Sequence, residues 1–310
     1  MALDYLIDAV EIDSGLLVKA VFQESAGKQL TGSLNRSVGV EEQQIKVETL
    51  TNDIKLSIGI DPLKARKASH RLTRATFTIP VLTAEIQWQH DAYLRVNKTK
   101  NPSQALVADV AREMGDMEDA FILTATDVTI GDNEGLFQSG NFTAATAELD
   151  LGTYAEGILT LSNMFGQLVS GMKGEVRKNA VVLVITPTVE SIMAGVVSTN
   201  DGTSLLTGAE VMLKQRGGAG SGILVAERLG CAIDFVDGVL TITNAVESSV
   251  GRAALVLVSP KVMTTHASIY DQRIRPYNKV DGYYNKVVER YLNLIHNAEG
   301  IIGSVAVVKA

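Results

Sequence analysis

Within the stretch AREMGDMEDAFILTATDVTIGDNEGLF, residues 111–137, four carboxylates crowd together: Glu113, Asp116, Glu118 and Asp119. Acids this close could act as a general acid and base, as in glycoside hydrolysis, if two of them faced each other across a cleft. Such pairs usually come from different elements, whereas these four ride on one. Other chemistry-bearing residues are scattered. His70, His90, His266 and His296 are isolated from one another in sequence, with no partner at metal-ligand spacing. The single cysteine, Cys231, excludes an intramolecular disulfide and a clustered-thiolate zinc module, and it reads as a small buried hydrophobe. The glycine-rich RGGAGSGILV, residues 216–225, lacks the Gly-Lys-Ser/Thr ending of a phosphate loop. A strand rather than a helix follows it, so no helix N-terminus is available to hold phosphate. No serine sits in a nucleophile elbow. We expect no catalytic, cofactor-binding or metal site.

The element carrying the carboxylates is the clearest helix in the chain. NPSQALVADVAREMGDMEDAFIL, residues 101–123, opens with Asn101 as N-cap and Pro102 at the first helical position. Leu106, Val110, Met114, Met117 and Phe121 follow at helical spacing as one buried stripe, over about 22 residues or roughly 33 Å. Gly115 costs about 1 kcal/mol relative to alanine and points to a close approach by another element. Glu113, Asp116 and Asp119 recur every three residues beside the stripe, so this flank is expected to be wet or to face a basic partner. Alanine at Glu118 or Asp119 is expected to leave folding intact. The acids read as structural, and the chain as no enzyme.

The remaining elements are shorter. Residues 1 to about 35 hold an amphipathic piece at Leu16, Leu17, Ala20 and Val21, then a polar Gly/Ser stretch. IKVETL, IKLSIGI, RATFTIPVL and EIQWQ, within residues 36–95, are alternating β-branched runs that read as strands. Between them the loop DPLKARKASHRLTR gathers Lys64, Arg66, Lys67, Arg71 and Arg74 with no acid among them. These five are the candidate contacts to a neighbouring subunit, since a ribbon of this kind is marginal alone and needs something to pack on. After residue 136 helices and strands mix, with helices at TYAEGILTLSNMFGQLVS, PTVESIMAGVV and GAEVMLKQ and strands at NAVVLVIT, ILVAE, AIDFV, VLTIT and AALVLV. GYYNKVVERYLNLI, the turn HNAEG and IIGSVAVV read as a long terminal hairpin.

Composition narrows the class. The 310 residues are 46% hydrophobic and 20% charged, ordinary for a folded globular protein. A net charge of −7 gives no general attraction to nucleic acid. No apolar run reaches the roughly 20 residues that span a bilayer, and the acidic start lacks the basic opening of an export signal.

The order of these textures resembles the major capsid proteins of tailed phages and related viruses, the Hong Kong 97-like fold. FTIPVLTAEIQWQHDAYL, the helix of residues 101–123, GDNEGLF and YYNKVVERYLNLIHNAEGIIGSVAVV carry the resemblance. Residues 76–137 and 283–308 are also similar to encapsulin nanocompartment shells. The short leading helix that holds encapsulin cargo has no counterpart in residues 1–35, which favours a virus shell.

The resemblance implies an α+β fold: an N-terminal arm (1–35), an extended loop (36–80), a peripheral domain with its spine helix (81–135), an α/β axial domain (136–280) and closing peripheral strands (281–310). It implies a protein without cofactors that self-assembles into pentamers and hexamers of an icosahedral capsid around double-stranded DNA, held without sequence specificity. Portal, scaffold and decoration proteins are the further partners it suggests. The expected setting is a virion assembled in the host cytoplasm, with no membrane. The alternatives are an encapsulin-like compartment with protein cargo and a soluble α/β hydrolase.

Overall fold

The computed structural model describes residues 25–39, 41–53, 69–89, 102–123, 132–138, 140–236, 239–243, 250–274 and 282–307. Leu16, Leu17, Ala20, Val21, His90, Asn101, the run IKLSIGI and the loop residues Lys64, Arg66 and Lys67 lie outside them. The helices are α1 (Ala26–Thr31), α2 (Pro102–Leu123), α3 (Tyr154–Met172), α4 (Pro187–Gly195) and α5 (Leu205–Gly217). The strands begin with β1 (Asn35–Ser37), β2 (Gln44–Asp53), β3 (Ser69–Thr78) and β4 (Val81–Gln89). Then come β5 (Thr143–Ala144), β6 (Leu149–Asp150), β7 (Val181–Ile185), β8 (Gly222–Val225), β9 (Ala232–Val236) and β10 (Val239–Thr243). The series closes with β11 (Val250–Leu257), β12 (Met263–Ile274), β13 (Gly282–Ile295) and β14 (Ile301–Val307).

Local chemistry sets the helix starts. Ser25, Thr153 and Ser204 each accept the backbone N–H three residues on, at Lys28, Glu156 and Thr207. Each thereby satisfies a donor that the first turn leaves without a helical partner. Pro102 and Pro187 begin their helices where a missing N–H is harmless.

The strands form two main sheets. One runs β1-β12-β13-β4, antiparallel except for the parallel β1–β12 pair. The other runs β5-β14-β11-β7-β8, with β6 also on β14. A ribbon of β2 and β3 and a β9–β10 pair complete the set. Val181, Leu183, Val184, Ile185 and Ala253–Leu257 in the second sheet are all buried. Such near-continuous apolar runs mark strands covered on both faces. Leu161, Met164, Phe165 and Leu168 of α3, Val189 and Met193 of α4 and Leu205 and Leu213 of α5 share one core with them. At the base of the ribbon Ile45, Val47 and Phe77 pack on Val38, Ile79, Leu292 and Leu294, covering one side of the first sheet.

Three expectations need correcting. The closing strands are no hairpin: β13 pairs with β12 and β4, while β14 joins the other sheet beside β11. Residues 296–300 carry the chain across, His296 donating its backbone N–H to the Val262 carbonyl. The basic loop is shorter than expected, because β3 starts at Ser69 and pairs with β2 as far as Asp53. The polar stretch after residue 24 is folded, with Ser25 capping α1 and Leu30 and Leu34 in the core. A further strand, β12, had no clear alternation to announce it.

Candidate functional site

Along α2 the described part of the apolar stripe faces the core. Met114 and Phe121 are buried, Met117 packs against the core, and Leu106 and Val110 take their places on the same helix. Glu113 is exposed and Asp116 half-exposed, 3.4 Å from Arg228. The rest of the acidic flank is not wet. Glu118 has no accessible surface and Asp119 is 7% exposed. The reason is α1, whose first turn lies on this part of α2 and brings a cation and free backbone donors with it.

Lys28 of α1 places its Nζ 2.5 Å from Glu118 Oε1 and 3.3 Å from Glu289 Oε1 of β13. Burial alone would push the ammonium pKa down; the Glu289 and Glu118 carboxylates outweigh it and hold Lys28 charged. One cation cannot balance two buried acids. Burial first, and then the Glu118 charge, raise the Glu289 pKa well above the usual range. The consistent state is a protonated Glu289, with Lys28 paired to Glu118. Tyr291, two residues along the same face of β13, lies in the field of these acids and is itself fully buried.

Asp119 does a different task. Its carboxylate accepts from Ser25 Oγ at 2.7 Å, from the Gly27 N–H at 2.7 Å and from the Ala26 N–H at 3.2 Å. Burial raises its pKa to about 6 against the lowering effect of these three bonds. Gly27 permits the close fit: a Cβ there would stand 2.5 Å from Ile122 Cδ1 and 3.1 Å from Asp119 Oδ1, so the neighbours would have to shift. So α2 clasps α1 through charge, backbone donors and close approach together. With no solvent access to Glu118 or Glu289, no substrate can reach this pair. Its role is positional.

The turn after α2 completes the joint. Asn133 donates through Nδ2 to the Phe121 carbonyl, and the Leu136 N–H donates to the Ile122 carbonyl. These bonds satisfy acceptors that the helix end leaves open. Asn133 also accepts the Asn293 N–H, and Asn293 donates through Nδ2 to the Glu134 carbonyl. The segment 132–136 thus ties α2 to β13.

His266 and His296, distant in sequence, are neighbours in space. Burial and the nearby Arg36 lower both pKa values. His296 Nε2 lies 2.8 Å from Thr264 Oγ1. Among the described residues no group of His, Cys, Asp and Glu could hold a metal ion. Cys231 is buried, which pushes its thiol up to about 11 and leaves it unreactive. Of the basic candidates, Arg71 and Arg74 stand on β3, and Arg74 reaches across the ribbon to Glu48 at 2.6 Å on an exposed face. The lysine–glutamate cluster was invisible because its members lie 90 and 261 residues apart.

Compared with solved structures, the chain matches a virus-like particle from Pyrococcus furiosus with a TM-score of 0.59. That match covers 94% of this chain and 96% of the other at 13% identity. The capsid of Myoviridae phage XM1 matches with a TM-score of 0.58 at 10% identity, covering 86% of this chain and 87% of that one. The capsid of a native GTA particle gives 0.58 at 14% identity over 91% and 90%. The chain has a capsid-protein fold. No family profile matches its sequence, and no curated protein does. In a capsid-protein fold so divergent in sequence, what persists is the path of the chain.

Proposed function

We propose that this chain is the repeating structural subunit of a closed icosahedral shell, a major capsid protein enclosing double-stranded DNA. The observation that carries the reading is the fold match to a virus-like particle and to solved capsids over 86–94% of this chain. A second feature supports it. Among the described residues the β2–β3 ribbon packs at its base, and Leu72, Arg74, Lys46 and Glu48 further along are exposed. An isolated two-stranded ribbon is marginal in water, so a neighbouring copy is the natural source of its missing contacts. In this reading Lys64, Arg66, Lys67, Arg71 and Arg74 meet acidic side chains of an adjacent subunit. Residues 1–35 serve as arm and 36–80 as extended loop. The first sheet with α2 forms the peripheral domain and the second sheet with α3–α5 the axial domain, so that β12 goes with the former and β14 with the latter. The role is structural rather than catalytic, in pentamers and hexamers assembled in a host cytoplasm and completed by portal, scaffold or decoration proteins.

Electron microscopy of the purified protein tests the reading, with nuclease-protected DNA measured on the same sample. Closed particles holding protected DNA are expected. Particles that copurify with a second protein and no DNA would move the assignment to an encapsulin-like compartment. A monodisperse small protein under every condition would refute the shell.

A further inference from the structure

The α/β body built on the second sheet has an uneven distribution of charge. Residues 140–172 and 179–213 contain no lysine or arginine. The cations of this region fall in two short stretches, Lys173 to Lys178 and Lys214 to Arg216. Both stretches fold to the same end. Arg177 and Lys178 precede β7, Lys173 ends α3, and Lys214 and Arg216 end α5, where a Cβ on Gly217 would stand 3.1 Å from Val181 Cβ at the start of β7. Lys261 joins them from the loop after β11, bonded to Glu175 at 2.8 Å. Besides Glu175 this end carries Glu210, paired with Lys214, and Glu299 beside Gly171. Lys173 and Arg177 are exposed and have no ion-pair partner among the described residues.

At the other end of the same sheet the sign reverses. Glu148 and Asp150 flank or end β6, Glu156 opens α3, Glu190 opens α4, and Glu227 follows β8. The register puts these together: Asp150 pairs with Val307, Val307 with Val250, and Ala253 with Ile185 next to α4. Among the described residues the cations at this end are two half-buried, engaged arginines, Arg228 with Asp116 and Arg252 with the Gly230 carbonyl. Helix dipoles account for Glu156, Glu190 and Lys214. They do not account for Glu148, Glu227, Arg177 and Lys178, which flank strands. The ends cannot neutralise each other within one molecule. They are separated by the length of α3, about 28 Å, while charges are screened beyond roughly 8–10 Å.

We propose that copies of this chain associate head to tail through this body, the basic end of one facing the acidic end of the next. The partner is a second copy, because the two surfaces are complementary and belong to one chain. A heterologous contact of this kind closes into a ring when its rotation allows. The inference rests on the shell reading and adds to it which surfaces meet within a ring.

Charge reversal tests it on the full chain by sedimentation velocity and particle imaging. Arg177→Glu, Lys178→Glu and Lys173→Glu together make both ends acidic. Glu148→Lys, Glu190→Lys and Glu227→Lys together make both ends basic. Each triple variant alone should stay unassociated at low salt, while an equimolar mixture should recover head-to-tail association as alternating, even-numbered oligomers in sedimentation velocity, five-membered rings being closed only by wild type. Wild-type association should weaken by roughly tenfold when salt rises past the screening range. If a triple reversal costs the fold, Arg177→Gln and Glu227→Gln made separately should each reduce that salt dependence. Normal particles from either triple variant, no recovery on mixing folded variants, or an unchanged salt dependence in both single variants would overturn the proposal and leave the shell reading intact. A wild-type chain that never assembles would defeat the shell reading first.

Discussion

The two sheets are buried by opposite means. In the second sheet β7 and β11 are apolar on both sides, and any well-shaped aliphatic set could fill the space between helices. In the first sheet the row Glu289, Tyr291 and Asn293 on β13 is buried as deeply as the row Val288, Leu292 and Leu294 on its other face. That polar row is stable only because Lys28, Glu118, Asn133 and Glu134 meet it. Buried charge demands a specific partner, whereas buried hydrocarbon demands only a fitting volume. The first sheet is therefore the one that a single atom can break.

The largest effect should come from removing the cation. Lys28→Met leaves Glu118 and Glu289 buried without compensation and should cost about 3–5 kcal/mol of subunit stability, read by urea unfolding. Adding Glu118→Leu and Glu289→Leu to it should restore most of the loss, because an apolar replacement of the whole cluster removes the desolvation cost too. A triple variant weaker than the single would show that the cluster adds more than charge balance. In the second sheet Leu255→Ala should cost about 2–5 kcal/mol through the cavity it leaves, with no such rescue by a charge-neutral partner.

A smaller effect should appear with pH. Asp119 has a folded pKa raised to about 6, above its ordinary value. The folded chain thus binds this proton more tightly than the unfolded one, so its contribution improves as pH falls through about 6 towards 4 and is lost again above 6. His266 and His296 act in the opposite sense, since their lowered pKa values make folding less favourable on acidification. Comparing wild type with Asp119→Asn cancels the histidines. The stability of wild type relative to the variant should rise as pH falls from 7.5 to 4.5, by at most about 1.4 kcal/mol per pH unit. A flat difference would mean that the Asp119 carboxylate is not desolvated. The smallest effect should be at Arg74→Ala on the ribbon, within about 0.5 kcal/mol for the isolated subunit, since its pair with Glu48 is exposed.

How much of this was legible follows the same division. Leu106, Val110, Met114, Met117 and Phe121 recur at the helical period, and such a signal needs no knowledge of neighbours. VVLVI and AALVL announce buried strands for the same reason. VVERYLNLI also alternates, but its polar members face inward, and alternation cannot say which face is wet once partners from elsewhere supply the bonds. Glu118 and Asp119 misled because the flank of a helix is wet only if nothing lands on it. What lands on it, SAGKQLT, is seven residues with one glycine and no apolar period, and its helix depends on Asp119 as much as on its own sequence. Sheet membership failed at HNAEG for a related reason. A short turn between two strands suggests a hairpin, while residues 296–300 instead pass from one sheet to the other.

That crossing has a consequence for synthesis. Among the described strands, β4 bonds only to β13, and β5 and β6 only to β14. The first sheet cannot close until β13, which ends at Ile295, has left the ribosome, nor the second until β14, beyond residue 300, has done so, and β4, β5 and β6 stay without their partners until then. Long-range pairing of this sort folds slowly. It also makes completeness a condition of shape. A polypeptide that stops before β13 leaves β4, β5 and β6 without their strand partners.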